Sequence, residues 1–165
     1  MNYFLIIRGP AGVGKSTISK DVARKISAEV IHFDKIMNEL SLDHIQGEKW
    51  IPLHKFLKAD KMMIQKFKEI LKNKNLILDG NFYHQEQIED LVKSLDFPHF
   101  VFTLKADLQE CIKRDKTRSR KLGEQATKDV FNLVSAFNYG IIINTSNKMP
   151  AGVVNEILSH LPKSK

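Results

Sequence analysis

The chain contains a single cysteine, Cys111, among its 165 residues. One cysteine forms no internal disulfide framework and no thiolate zinc site, and its scarcity favours a reducing, cytoplasmic setting. No apolar run approaches the roughly 18 residues that a membrane-spanning helix needs. The apolar run at residues 3–7 has no basic segment before it and no small-residue cleavage site after it, so it predicts a buried strand rather than a signal peptide. These absences argue against a disulfide-rich secreted domain and against a membrane partner.

Glycine and proline are also scarce, with 8 and 5 residues. No segment rich in proline, glycine or serine divides the sequence, and no segment repeats. We therefore expect residues 1–165 to form a single domain, for which this is an ordinary length.

Positive charge exceeds negative charge, with 26 Lys and Arg residues against 19 Asp and Glu residues and a net charge of +7. A positive balance suits anionic ligands such as nucleotides, phosphorylated small molecules or nucleic acid. Lysine is far more frequent than arginine, however, and many lysines merely solvate helix faces. The charge therefore does not choose among these partners.

Five short apolar runs alternate with segments of helical periodicity. In residues 15–27, for example, Ile18, Val22 and Ile26 recur every four residues and form one apolar face. Strands that are buried on both faces and joined by helices predict a parallel sheet in a three-layer α/β/α fold. The predicted strands are residues 3–7, 29–33, 75–79, 99–104 and 139–143. The predicted helices are residues 15–27, 34–41, 54–73, 85–95, 107–121, 123–137 and 150–161.

Residues 9–16 read GPAGVGKS, which matches G-x-x-x-x-G-K-[ST] between a predicted strand and a predicted helix. Glycines let backbone N–H groups converge on phosphate oxygens, because they carry no Cβ atom and adopt the required dihedral angles. The N-terminus of the following helix adds its positive dipole end. The motif therefore predicts a P-loop that binds a nucleoside triphosphate together with Mg²⁺. The predicted nucleotide-binding residues are Gly9, Pro10, Ala11, Gly12, Val13, Gly14, Lys15, Ser16 and Thr17.

Three polar side chains are assigned from the chemistry of such loops. Lys15 is predicted to reach the β- and γ-phosphates, and Ser16 is predicted to offer its hydroxyl to Mg²⁺. Asp79 ends the apolar run 75–79, where an aspartate beside a P-loop orients Mg²⁺ through its water shell. The alternative is an aspartate that caps the following turn together with Asn81. We favour the metal role for Asp79.

Asp34 follows the predicted strand 29–33, at the carboxyl end where α/β sheets bind their ligands. A carboxylate at this place can accept the proton of an attacking hydroxyl. An aspartate is equally suited to cap a helix over residues 35–41, and the sequence leaves both roles open. His32, two residues earlier, is interpreted as a strand residue rather than a base.

Residues 113–121, KRDKTRSRK, carry six cations and one acid. Arg114 and Arg118 lie four residues apart and are predicted to share one face of helix 107–121. An arginine that closes over the phosphates lowers the barrier to phosphoryl transfer and excludes water. The segment also fits a solvated helix face or a nucleic-acid-binding strip. Given the P-loop, we favour a basic lid over about residues 113–123, with Arg114 and Arg118 as its phosphate contacts.

With the motifs GPAGVGKST, HFDKI, LILDGNF and CIKRDKTRSRKLGE in this order, the whole chain resembles the small P-loop kinases. These include adenylate, shikimate, gluconate and adenylylsulfate kinases, chloramphenicol phosphotransferase and the 5′-hydroxyl polynucleotide kinases. The resemblance implies a strand order of 2-3-1-4-5, which would place the strand of Asp79 beside the P-loop strand. It also implies that Asp34 activates the acceptor hydroxyl, that Arg114 and Arg118 belong to a lid, and that Asn144 and Thr145 border the adenine after the last strand.

The chain also departs from individual members of this group. No arginine follows Asp79 and Gly80, where nucleoside monophosphate kinases have one, and the glycine-rich segment of shikimate kinases is missing. Asn144 and Thr145 stand where related enzymes often have Asp-Thr.

We therefore expect an ATP- and Mg²⁺-dependent kinase acting on a small-molecule or nucleotide acceptor. One alternative is a 5′-hydroxyl polynucleotide kinase, with lysines of helix 54–73 as phosphate contacts. A second alternative is a nucleotide-binding ATPase or switch without an acceptor. The sequence leaves the oligomeric state and the choice between ATP and GTP open.

Overall fold

The computed structural model describes residues 1–43, 47 and 49–163. Within these residues five strands alternate with seven helices. The strands are β1 (Phe4–Arg8), β2 (Ala28–His32), β3 (Asn75–Gly80), β4 (His99–Lys105) and β5 (Ile141–Asn144). The helices are α1 (Lys15–Ile26), α2 (Phe33–Glu39), α3 (Leu53–Asn73), α4 (Gln85–Leu95), α5 (Leu108–Lys116), α6 (Glu124–Ser135) and α7 (Pro150–Ser159).

The five strands form one parallel sheet in the order β2-β3-β1-β4-β5. This confirms the predicted α/β fold and the strand order of 2-3-1-4-5. In the register of the sheet, Asp79 of β3 lies opposite Ile7 of β1 on one side and His32 of β2 on the other. The sheet therefore places Asp79 beside the strand that leads into the P-loop.

Apolar side chains of the central strands fill two clusters, because successive strand residues point to opposite faces of the sheet. Leu5 and Ile7 of β1 pack on one face in a cluster that includes residues of α1 and α7. Phe4 and Ile6 pack on the other face with residues of α3 and α4. Helices therefore cover both faces and form the three predicted layers.

The two edge strands are less buried than predicted. All residues of β2 are partly exposed, and Ile142 of β5 is 41 % exposed. An edge strand has a neighbouring strand on one side alone, so the prediction of burial on both faces is wrong for β2 and β5. β5 also begins two residues later than predicted and includes Asn144 as its last residue.

The helix predicted at residues 107–121 is shorter in the structure. α5 ends at Lys116, and backbone hydrogen bonds to the carbonyl oxygens of Arg114 and Asp115 tighten its end into i→i+3 turns. Arg118 lies beyond this last turn. The prediction that Arg114 and Arg118 share a helical face is therefore wrong.

The longest helix, α3, spans 21 residues and buries Phe56, Phe67 and Leu71. Their burial confirms the two phenylalanines as core residues. In the part of the chain that the structure describes, no helix combines the length and the apolar character needed to cross a bilayer.

Asp60 of α3 is a buried carboxyl, with 1 % of its surface exposed. Its Oδ1 accepts a hydrogen bond from Nε2 of Gln87 at 3.3 Å, whereas Oδ2 has no hydrogen-bond partner among the described residues. Burial raises the pKa of Asp60 to about 8; the Gln87 hydrogen bond opposes this shift and the charge of Asp90 adds to it. Asp60 therefore carries its proton at neutral pH.

We expect the Asp60→Asn variant to unfold with a weaker pH dependence than the wild type. The folded pKa of Asp60 lies above its unfolded value of about 3.9, so its stabilising contribution is complete below that pH and is lost as the pH rises towards about 8. Over this range the wild-type free energy of unfolding should fall, relative to the variant, by up to about 1.4 kcal/mol per pH unit. Urea titrations at several pH values measure the difference, with Glu69→Gln on the exposed side of α3 as control. Parallel profiles for wild type and Asp60→Asn would contradict the prediction.

Candidate active site

The P-loop joins β1 to α1, and its glycines are required both by dihedral angles and by close contacts. Gly12 and Gly14 have φ values of 82° and 100°, in the left-handed region that favours glycine. A Cβ atom on Gly12 would lie 2.4 Å from the carbonyl oxygen of Cys111 in α5. One on Gly9 would lie 2.9 Å from the carbonyl oxygen of Leu104 in β4. The loop therefore packs directly against β4 and α5, with no space for side chains at these two positions.

The other P-loop residues divide between the core and a cleft. Val13 and Ala11 are buried, with 2 % and 7 % exposure, and Ala11 packs against α6. Ser16 and Thr17 are exposed in the first turn of α1. The N-terminal N–H groups of α1 have no side-chain cap from Gly14, and uncapped N–H groups at a helix N-terminus are suited to an anion.

Lys15 folds back onto the loop from the start of α1. Its Nζ donates hydrogen bonds to the carbonyl oxygens of Gly9 and Pro10 at 2.8 and 2.9 Å, and to Oδ1 of Asn81 at 3.2 Å. All three partners are neutral oxygens. Burial lowers the pKa of Lys15 to about 8, and two carboxylates of the site partly oppose this shift. The sequence indicated only a turn role for Asn81, and nothing in it signalled the bond to Lys15.

Asp79 is buried at the end of β3, with 4 % exposure. Its Oδ1 lies 2.8 Å from Nδ1 of His32, the last residue of β2, and His32 is thus a strand residue as predicted. Its Oδ2 is buried and has no hydrogen-bond partner in the described residues. A buried carboxylate oxygen without a partner is costly unless a ligand completes it. His32 thus holds one carboxylate oxygen of Asp79, and the other oxygen can accept a ligand.

Asp34 lies in the first turn of α2, which begins at Phe33. The N-cap position belongs to His32, so the hypothesis that Asp34 caps this helix is wrong. The Asp34 carboxylate reaches solvent through the cleft, but the surrounding protein desolvates it and raises its pKa, while the charge of Lys15 lowers it. A raised pKa makes this carboxylate a stronger base.

Arg114 reaches from α5 back to the P-loop. Its Nη1 donates a hydrogen bond to the carbonyl oxygen of Val13 at 3.0 Å, and its Nη2 pairs with Glu110 one turn earlier. Arg118 lies in the loop after α5, half exposed, with its Nη1 3.8 Å from Oδ1 of Asp115. Both arginines line the same cleft as Lys15, although they do not share a helical face.

Asp115 is the single acid of the basic segment, and its structural role was not predicted. Its carboxylate accepts backbone hydrogen bonds from the N–H groups of Leu122, at 3.0 and 3.1 Å, and of Gly123, at 2.9 Å. Burial favours a higher pKa for Asp115, but these N–H groups and the charges of Arg118 and Lys121 hold the pKa below its ordinary value. The carboxylate closes the end of the basic segment into one defined loop. An isolated acid within a run of cations is the signal that could have indicated such a role.

The cleft beside the P-loop has a volume of about 980 Å³, and most of the predicted site residues line it. Thr145 is not among its lining residues: its N–H and its hydroxyl both donate to the carbonyl oxygen of Lys105, at 2.7 and 3.0 Å. Asn144 is also absent from the lining, and its Oδ1 accepts a hydrogen bond from the N–H of Ser146. The predicted residues that do line the cleft are Ala11, Gly12, Gly14, Lys15, Ser16, Thr17, Asp34, Asp79, Arg114 and Arg118.

A second cavity, of about 240 Å³, adjoins this cleft. Four residues line both spaces: Asp34, Asp43, Ile51 and Asn81. Its walls include the rings of Phe33, Trp50, Phe56, Phe82 and Tyr83. These rings come from α2, from the segment before α3, from α3 itself and from the turn after β3, so no local sequence pattern predicted that they would meet.

Comparison with known proteins identifies the family to which the chain is similar. A family model described as an AAA domain matches residues 4–137. A probable thymidylate kinase of Methanococcus maripaludis is 27 % identical, and its alignment covers 96 % of this chain and 94 % of the relative. A putative adenylate kinase of Thermococcus gammatolerans is 26 % identical, with 96 % and 85 % covered.

Solved structures share the fold over the same extent. A sugar kinase from Janibacter sp. has a TM-score of 0.77 at 13 % identity, covering 96 % of this chain and 94 % of its own. An APS kinase from Mycobacterium tuberculosis, solved with AMPPNP and APS, has a TM-score of 0.70 at 16 % identity, with 96 % of each chain covered. These identities are so low that the two structures show the fold alone. The family model, however, spans most of the chain, and relatives named as kinases align over nearly its full length. The protein therefore belongs to the AAA domain family and is a nucleotide-binding P-loop kinase.

Proposed function

We propose that the protein transfers the γ-phosphoryl group of ATP, with Mg²⁺, to a hydroxyl group of a small molecule. The observation that carries this proposal is the Asp34 carboxylate, which lines the same cleft as Lys15 of the P-loop. The cleft combines cationic groups suited to a triphosphate with a carboxylate suited to the proton of an acceptor.

Lys15 and the P-loop N–H groups hold the donor. The three neutral oxygens that Lys15 contacts are weaker partners for an ammonium than phosphate oxygens are, so the side chain exchanges them readily for a bound triphosphate. Arg114 and Arg118 add positive charge where the transferred group spreads its negative charge over its equatorial oxygens. Positioning and electrostatic stabilisation supply most of the acceleration in such a site.

Ser16 and Asp79 are the residues that would hold Mg²⁺. Oxygen donors suit this ion, and Oδ2 of Asp79 is a buried carboxylate oxygen that lacks a partner among the described residues. Ser16 is exposed along the same cleft. The donor set therefore fits Mg²⁺, which when bound neutralises charge on the β- and γ-phosphates. His32 orients Asp79 through the contact between Nδ1 and Oδ1.

Asp34 favours a hydroxyl acceptor over a phosphate acceptor. In the transfer, the bond between the acceptor oxygen and Pγ forms, and the bond between Pγ and the bridging oxygen of ADP breaks. The hydroxyl proton passes to the carboxylate of Asp34, whose raised pKa suits this task. A phosphate acceptor is already anionic, needs no base and would be repelled by the same carboxylate.

A 5′-hydroxyl polynucleotide would use the same chemistry, but its successive bases would need exposed rings beside the lysines of α3. The two phenylalanines of α3, Phe56 and Phe67, are 7 % and 0 % exposed, and the small cavity has room for a single ring system. Oligonucleotide binding with a steep salt dependence would favour this acceptor, with lysines of α3 as phosphate contacts. ATP hydrolysis without transfer to any acceptor would favour the switch or motor ATPase.

Replacing Asp34 with asparagine should lower kcat for transfer by about 10²- to 10⁴-fold, because an amide keeps the shape of the side chain and cannot accept the proton. The KM for ATP should change little. The acidic limb of the wild-type pH profile should lie above the ordinary pKa of an aspartate, since the pKa of Asp34 is raised. This limb should disappear in the variant. Transfer from γ-labelled ATP to alcohols, sugars, nucleosides and oligonucleotides measures all of these quantities.

Glu39→Gln is the matched control for this variant. Glu39 is the last residue of α2, is exposed and lines neither cavity, so its neutralisation should leave kcat unchanged. An Asp34→Asn variant with kcat within a fewfold of wild type would remove the base from the mechanism and, with it, the reason to prefer a hydroxyl acceptor.

A further inference from the structure

The 240 Å³ cavity lies where the proposed transfer requires its acceptor, because Asp34 lines both this cavity and the P-loop cleft. A molecule that occupies the cavity can therefore extend a hydroxyl group to Asp34. Pockets for drug-sized ligands have volumes of about 300 to 1,000 Å³. A cavity slightly below that range suits a single ring system with small substituents.

The five rings that line this cavity form its aromatic wall, and four of them contact one another. The ring centroids of Phe33 and Phe82 are 5.3 Å apart, those of Phe33 and Phe56 are 6.4 Å apart, and those of Phe56 and Tyr83 are 5.5 Å apart. The three phenylalanines are buried, so the wall is part of the packed core and does not need to form upon binding. Such a surface favours a flat ring that can stack on it or meet it edge to face.

The segment before α3 is tied to this wall by hydrogen bonds to one carbonyl group. The carbonyl oxygen of Ile51 lies 3.4 Å from the hydroxyl of Tyr83 and 2.9 Å from Nε2 of His84. Burial raises the pKa of Tyr83 to about 12, so the hydroxyl keeps its proton for this bond. Ile51, which follows Trp50 in the chain, is therefore fixed against the aromatic wall.

The charges around the cavity disfavour an anion. Its charged lining residues in the described part of the chain are Asp34, Asp43 and Lys49, which sum to a formal charge of −1. Nζ of Lys49 lies 3.4 Å from Oδ2 of Asp129, so part of the single positive charge is already compensated. No arginine contributes to the lining among these residues. A negatively charged acceptor would thus meet two carboxylates and one shared cation.

The polar lining also disfavours a polyol. Gln87, one of the two uncharged amides of the lining, is only 1 % exposed and donates a hydrogen bond to Asp60. A sugar would bring several hydroxyl groups against the aromatic wall, and most of them would lose hydrogen bonds to water without replacement.

On the basis of the proposed transfer to a hydroxyl, we propose that the acceptor is a planar, ring-bearing alcohol without negative charge, of which a nucleoside is one example. The ring packs against the aromatic wall, and the hydroxyl reaches Asp34. Nucleoside monophosphates, phosphorylated sugars and sugar acids lie outside this class. Their charge would face Asp34 and Asp43. The triphosphate, meanwhile, already engages Lys15, Arg114 and Arg118 of the adjoining cleft.

Trp50 provides the test, since it is the single tryptophan of the chain and lines the cavity. Wild-type protein with Mg²⁺ and a saturating non-hydrolysable ATP analogue, which occupies the P-loop, is titrated with thymidine and thymidylate, and with adenosine and AMP. The uncharged member of a pair should change the tryptophan fluorescence saturably, with a half-saturating concentration at least about tenfold below that of its monophosphate. Ribose and gluconate should give no saturable change.

Two variants test whether charge causes the weaker binding of the monophosphates and whether Trp50 is the source of the fluorescence signal. Asp43→Asn should reduce the difference in half-saturating concentration between each nucleoside and its monophosphate, because it removes one of the two carboxylates that face the anion. Trp50→Phe keeps a ring in the wall and should abolish the signal, which identifies its source. Tighter or equal binding of the monophosphates, or no saturable response to either nucleoside, would overturn the proposed acceptor class.

Fluorescence and turnover together distinguish this proposal from the transfer mechanism. Nucleosides that bind at Trp50 and receive no phosphoryl group would support the cavity and refute transfer through Asp34. Transfer that depends on Asp34 but prefers monophosphates or sugars would keep the mechanism and refute the acceptor class.

Discussion

Replacing Lys15 with alanine should lower kcat/KM for phosphoryl transfer by at least about 10³-fold, which corresponds to about 4 kcal/mol of transition-state stabilisation. Lys15 is the P-loop cation, and it is held by neutral oxygens of Gly9, Pro10 and Asn81 rather than by a competing carboxylate partner. Its removal leaves the P-loop glycines and their packing in place, so the loop keeps its shape while the charge that faces the phosphates is lost. Transfer from γ-labelled ATP, measured under single-turnover conditions, determines the loss.

Lys20→Ala is the control for this variant, because Lys20 is an exposed lysine of the same helix and lines neither cavity. It should retain wild-type activity. Lys15→Arg should remain strongly impaired, since a planar guanidinium does not fit a site built around a compact ammonium. Thermal unfolding without nucleotide shows whether Lys15→Ala is folded. A folded Lys15→Ala protein with activity within tenfold of wild type would refute the assigned active site.

The P-loop could be predicted from the sequence because its function depends on neighbours along the chain. Gly12 and Gly14 meet local requirements for a positive φ angle, and Lys15 and Ser16 follow at fixed spacing. Alternating apolar runs and helical patterns likewise predicted the layers of the fold, since they report which faces are buried. The order of the strands came from the resemblance to small P-loop kinases, and the sheet confirms it.

The end of the basic helix could not be predicted because a carboxylate decides it rather than a helix-breaking residue. Neither glycine nor proline occurs between Asp107 and Leu122, so the helical pattern continues through the point where α5 ends. Asp115 accepts the N–H groups of Leu122 and Gly123 and bends the chain there. A helical wheel contains no information about this bond.

The acceptor side of the site could not be predicted from the sequence for a different reason. The bond between Asn81 and Lys15 joins residues 66 positions apart, and the aromatic wall combines four separate segments. Each phenylalanine of the wall resembles an ordinary core residue when its own segment is considered alone. The cavity exists because these segments meet beside Asp34, which only the folded chain shows.

Replacing Arg8 should strongly destabilise the protein, because Arg8 is a fully buried cation at the end of β1. Its Nε donates a hydrogen bond to the carbonyl oxygen of Phe82 at 3.2 Å, and its Nη2 donates one to that of Val134 at 2.8 Å. Its Nη1 lies 3.1 Å from the hydroxyl oxygen of Thr103 and 3.3 Å from the carbonyl oxygen of Phe137. One guanidinium thus connects β4, the turn after β3 and the end of α6.

The position of Arg8 explains why its loss should be costly. Val134 belongs to the last turn of α6, where a cation is favoured by the helix dipole and carbonyl groups lack helical partners. Burial lowers the pKa of Arg8 to about 10, so the group stays charged at neutral pH. Methionine at this position fills similar space but leaves several buried carbonyl groups without donors. We expect Arg8→Met to lower the free energy of unfolding by about 3 to 5 kcal/mol.

Urea unfolding measures this loss against Arg24→Met, in which a 77 % exposed arginine loses its ion pair with Asp21. That control should lie within about 0.5 kcal/mol of wild type.

Arg8→Lys keeps the charge but loses the guanidinium fork, so its stability should be intermediate between those of wild type and Arg8→Met. It provides the comparison where Arg8→Met does not accumulate as folded protein. Phe82 follows Asn81, the partner of Lys15, so Arg8→Lys should also weaken nucleotide binding, while Arg24→Met should not. An Arg8→Lys protein equal to wild type in both measurements would show that the guanidinium network contributes neither to stability nor to the position of the P-loop lysine.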